Sequence, residues 1–135
     1  MALTLSPDHD LARQEAARLP ALQASHALLI ASPGEAVVQL FEGTPDTGTL
    51  VAELAMPAES LEVDAPAFQI KTTAAVEGQV STAGIVDSAR ILDGAGAFWA
   101  DATVTDEDGS GDIKLQTTDL QAGAFARITS AVFQG

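Results

Sequence analysis

The sequence predicts an all-β domain of sandwich type that carries a short N-terminal helical segment or docking arm. From Glu35 onward the chain reads with a period of two, Val37, Gln39 and Phe41 alternating with Val38, Leu40 and Glu42. Clusters of Gly, Pro and Asp then divide the chain into short runs about 8 to 12 residues apart, the spacing of sandwiches and barrels. Ahead of residue 35 the pattern is helical instead, which sets a division into an N-terminal segment (1–34) and a β domain (35–135).

Each element has a local reason. Ser6-Pro7-Asp8 is a helix start: a hydroxyl cap, proline at the first helical position, then acids at the positive end of the dipole. LARQEAARL continues it with good helix formers, and Pro20 is expected to end or kink it. Residues 21–31, ALQASHALLIA, suit a second helical stretch better than a short buried strand around Leu28-Leu29-Ile30. Ser32-Pro33-Gly34 closes the segment as a turn. Strands are expected over 35–42, 49–56, 61–71 (around Phe68 and Ile70), 79–83, 85–92, 97–105, 111–117 and 125–133.

Composition narrows the function. A chain of 135 residues with 47% hydrophobic and 19% charged residues is one folded domain, not a disordered one. Its formal net charge of −13 and six scattered cations oppose phosphate backbones and anionic membranes, so neither nucleic acid nor membrane is an expected partner. No apolar run reaches the roughly 18 residues of a membrane span. MALTLSPDHD lacks the basic start and apolar stretch of a secretory signal. Without cysteine there is no disulfide framework or thiol chemistry, and the fold must rest on packing.

The stretch VTDEDGSGDIKL (104–115) poses the sharpest question. Asp106, Asp108, Ser110, Gly111, Asp112 and Ile113 occupy the first, third, fifth, sixth, seventh and eighth places of a calcium loop. The twelfth place is Thr117, where bidentate closure needs Glu, and the flanking residues alternate as strands rather than as helix. The expectation is a β-hairpin with an acidic, solvated tip. No metal or other cofactor is expected.

Other chemistry is sparse. His9 and His26 are the only histidines, Ser110 lacks a nucleophile-elbow context, and no phosphate-cradling loop is present. The chain is expected to be no enzyme, with no catalytic residues. Contact surfaces are expected instead at the apolar N-terminal segment, around Leu19, Leu22, Leu28 and Leu29, and at Trp99, the single tryptophan.

Three stretches carry a resemblance: GTPDTGTLVAEL (43–54), SARILDGAG (88–96) and GDIKLQTTDLQAGAFARITSAVF (111–133). Together with the preceding helical segment they resemble a group of small structural proteins of tailed bacteriophages, over roughly residues 35–133. The resemblance implies a jelly-roll virion protein, similar to the cement or decoration proteins that bind the outer surface of the capsid. Its partners would be the major capsid protein and further copies of itself, as a dimer in preference to a trimer. A minor tail, baseplate or carbohydrate-binding host-contact protein is the alternative. The long, proline-interrupted N-terminal segment departs from the group's pattern, and the group offers no catalytic residues to carry over.

Overall fold

The computed structural model describes residues 4, 6–31 and 34–134. It begins with a 23-residue helix, α1 (Pro7–Leu29). The Ser6 hydroxyl accepts the His9 amide at 3.2 Å, Pro7 occupies the first turn, and Asp8 and Asp10 face the dipole's positive end. The helix does not end at Pro20, one of the two expected outcomes there, but runs through it. Proline removes one helical bond, the one to the carbonyl of Ala16, and both residues lie on the exposed side where water can serve that carbonyl. Beyond Pro20, burial of Leu22 and Leu29 holds the helix to the sheet. The expected turn at Ser32-Pro33 lies outside the described residues.

Strands β1 (Ala36–Glu42) and β2 (Thr49–Met56) follow as expected and pair as an antiparallel hairpin. The strand expected over 61–71 is two strands, β3 (Leu61–Asp64) and β4 (Gln69–Thr72), joined by a tight turn. Asp64 accepts the Ala67 amide there, and Phe68 takes a φ of 52°. Bulky residues avoid that region, but the Phe68 ring is buried beneath the Arg18 guanidinium, 4.3 Å away. Next come β5 (Val76–Gln79), β6 (Gly84–Ile85), β7 (Ser88–Leu92) and β8 (Phe98–Asp106). The run ends with β9 (Ile113–Leu115), β10 (Asp119–Leu120) and β11 (Phe125–Gln134). The strand expected at 79–83 thus ends where it was to begin. That expected at 85–92 is broken at Val86 and Asp87, whose amides bond Thr118 and Phe41 carbonyls outside any ladder.

The main sheet runs β2-β1-β7-β8-β9-β11-β4-β3, with β5 on β11; β6 and β10 form a separate pair. A single bridge, Ala52 to Val80, brings the end of β5 back to β2, so the sheet curls upon itself. The result is a mostly β, mixed, curled sheet with one N-terminal α-helix, an arrangement consistent with a β-sandwich.

It is not wholly antiparallel. β8 and β9 pair in parallel, Val104 opposite Ile113, so the expected hairpin at 104–115 is overturned. Side chains of β8 fold the connection back along its own strand. Thr105 Oγ1 accepts the Gly111 amide, Thr103 Oγ1 accepts the Asp112 amide, and Asp112 Oδ2 accepts the Thr103 amide. A Cβ on Gly111 would lie 2.9 Å from the Thr105 nitrogen, so this return path requires glycine.

Val38, Leu40, Val51, Leu54, Met56, Ile91, Ile113, Leu115 and Ile128 form the core, and Leu22 and Leu29 of α1 belong to the same cluster. The segments divided by the sequence at residue 34 therefore share one core.

Candidate functional site

Among the described residues no three His, Asp or Glu side chains converge as metal ligands. The aspartates of the acidic loop serve the backbone instead: Asp106 Oδ1 accepts the amides of Asp108 and Gly109, and Asp112 grips Thr103. His9 is exposed on the first helical turns. His26, in the last turn, holds its Nε2 buried without a hydrogen-bond partner.

The expected contact residues fall in different places. Leu22 and Leu29 are buried in the chain's own core, Leu19 is half-buried, and Leu28 is 59% exposed. Trp99 is half-buried; its Nε1 donates to the Ser25 carbonyl of α1 at 3.1 Å, and its ring meets Phe133 edge-on at 5.5 Å. Tryptophan is therefore the pin between helix and sheet, satisfying its one donor while burying most of its ring.

Around that pin the sheet is incomplete. β9 has only three residues, and it separates β8 from β11 only where Val104–Asp106 and Ile128–Ala131 flank it. Beyond its N-terminal end β8 continues back to Phe98 with a partner on the β7 side alone. Likewise β11 continues to Gln134 with a partner on the β4 side alone. A slot remains between the two strands. Trp99 and Phe133 lie within it, Asp112 closes one end, and a cavity of about 300 Å³ reaches from Ala100 to Gln134. A second cavity of about 400 Å³ continues from Trp99 and Phe133 under α1 to Arg18. The helix covers the inner side of the gap with Leu22 and Ser25.

Two clusters of surface charge flank these features. Arg90 holds Asp101 through Nε at 3.0 Å and NH2 at 3.3 Å, reaches Asp46 at 3.4 Å, and lies 4.3 Å over the Phe98 ring. The hydrogen bond to Asp101 raises the guanidinium pKa further above its ordinary value. Lys71 lies 3.4 Å from both Asp64 and Glu62, and the hydrogen bond to Asp64 is the main cause of its raised pKa. A raised lysine pKa means that its share of stability is whole below the ordinary lysine value and fades as pH climbs through the raised one. Both cations are partly exposed and most of their acid partners are open to solvent, so salt screens these pairs and they add little to the fold.

Sequence reasoning selected Trp99 but missed Ser25, Ile70, Asp112 and Phe133 around it. The pairing that leaves the slot open is nonlocal, and no spacing along the chain marks it. Searches against family models, curated proteins and solved structures gave no match to this chain.

Proposed function

We propose that the chain is a structural virion protein of a tailed bacteriophage, binding the outside of the capsid shell as a cement or decoration protein. The observation that carries this reading is the set of three motifs that resemble such proteins. Residues 43–54 cover the turn into β2 and most of that strand, 88–96 cover β7 and its turn, and 111–133 cover β9 to β11. The finer description of the fold as a jelly roll belongs to the same reading. The partners are the major capsid protein and further copies of the chain, with a dimer favoured.

Physically, a cement works by binding the assembled shell and not its free subunits, so its binding energy stabilises assembly. Small contacts suffice because they repeat over the lattice. The first turns of α1, Pro7 to Ala17, bury no side chain against the described chain and leave Leu11 49% exposed, which supports a projecting contact arm. Counting copies per purified particle by quantitative mass spectrometry tests the proposal. Hundreds of copies, released as the shell is stripped, are expected. A handful would move the protein to the tail, baseplate or host-contact class, and none would end the virion reading.

A further inference from the structure

We propose that the slot between β8 and β11 is a strand-docking site that takes an extended, basic segment of a partner protein. The inference stands apart from the virion reading: it concerns one surface, and its test needs no particle.

Backbone geometry defines the class of occupant. The Thr103 and Val132 amides both point to the β9 side, since they bond Asp112 through its carboxylate and its carbonyl. Alternate residues along a strand present their N–H and C=O to the same edge. Asp101 on β8 and Gln134 on β11 therefore turn their peptide groups into the slot, past the last residue that β9 can serve. Two open edges facing one gap fit an extended polypeptide better than any small molecule, because only a strand matches both rows at once. The inserted strand would continue β9 in its N-terminal direction, parallel to β8 and antiparallel to β11. No described segment of the chain fills this place. Residues 107–112, which lead into β9, are folded back on Thr103 and Thr105.

Side chains define the rest. A docked strand turns alternate residues to opposite faces. One face meets the Trp99 and Phe133 rings, which favours an aliphatic residue. The other meets the rim, where charge is one-sided. Asp101 and Asp112 line the slot, and Asp106, Glu107 and Asp108 follow in the adjoining loop, against Arg90 and Lys114. Asp112 bonds Thr103 and makes no ion pair with any described cation. A segment alternating aliphatic and basic residues is therefore complementary in hydrogen bonding, shape and charge.

The test uses the full-length protein and three synthetic probes: acetyl-KVKVK-amide, acetyl-EVEVE-amide, and the basic peptide with its backbone nitrogens methylated. Trp99, the only tryptophan, sits in the slot and reports occupancy by its emission. The basic peptide should shift that emission saturably at up to millimolar concentration and move the Asp101 and Gln134 amide resonances. The acidic peptide should bind at least about tenfold more weakly, and the methylated one, stripped of its donors, should not bind. Asp112→Asn keeps an acceptor for Thr103 while removing the charge, and should weaken the basic peptide. Gln134→Pro removes one slot-facing N–H at the end of the last strand and should cost roughly fivefold in affinity. No saturable shift with the basic peptide, or equal binding of any two probes, would overturn the proposal. So would wild-type affinity in both variants. Concentration-dependent shielding of Trp99 in the protein alone would also overturn it, in favour of a second copy of the chain.

Discussion

At the scale of single residues, the junction between helix and sheet turns on Gly94. Its amide donates to the Leu29 carbonyl at 3.1 Å and its carbonyl accepts the Gly34 amide at 2.8 Å, so it ties both sides of the link that follows α1. A Cβ at this position would overlap the Ala31 carbonyl, which is backbone and cannot swing aside. Gly96, two residues on in the same turn, has a φ of 86° but open space around it. Gly94→Ala should therefore cost about 2 kcal/mol or more, from forced backbone displacement, and Gly96→Ala only about 1 kcal/mol, from conformational strain. Chemical denaturation of the two variants measures the difference. Equal losses would mean that the helix does not depend on this contact.

At the scale of elements, α1 does two jobs along its length. Its first half touches little, while its second half supplies Leu22, Leu29 and the Ser25 carbonyl that receives Trp99. Deleting residues 1–17 should leave the melting temperature unchanged within error, since none of the described residues among them is buried. Deleting residues 1–31 removes two buried leucines, each worth about 1.5–3 kcal/mol, and strands the Trp99 donor. The longer deletion should lower the melting temperature by many degrees or prevent folding. A longer deletion that melted like the intact protein would make the whole helix a detachable arm.

At the scale of the molecule, a charge of −13 makes copies repel one another, more so under the crowding that the proposed cement role would impose. Acids gather at turns and on exposed faces: Asp46, Asp87, Asp101 and the run from Asp106 to Asp108 are all exposed. Asp93 is the buried exception, and it accepts the Ala95 and Ala97 amides of its own turn. Under the proposed function, apolar area would carry attachment while the acids face solvent. Occupancy on the assembled partner should survive about 1 M salt, where the Debye length falls to about 3 Å. Loss of most copies between about 0.1 and 0.5 M, at fixed pH and temperature, would show instead that charge holds the contact. Weaker binding of the KVKVK probe in the same range is expected, because its slot is acidic.

Local physics let the sequence determine the helix start at Ser6-Pro7, the strand Thr49–Met56 and the absence of thiol chemistry. Each depends on neighbours in the chain: a cap, a period of two, a residue type that does not occur. The unbroken helix, the turn at Phe68 and the parallel β9 were decided by tertiary structure. Pro20 is tolerated because packing beyond it anchors the helix. Phe68 accepts a positive φ because its ring is buried under Arg18, 50 residues earlier in the chain. The DEDGSG stretch has the composition of a hairpin tip, yet Thr103 and Thr105 fold it back beside β8 and send the chain on in parallel. The slot follows from that return, since a three-residue β9 leaves two longer neighbours without a strand between them. Strand pairing is a contest among distant segments for the same edges, and its outcome depends on the curl of the whole sheet.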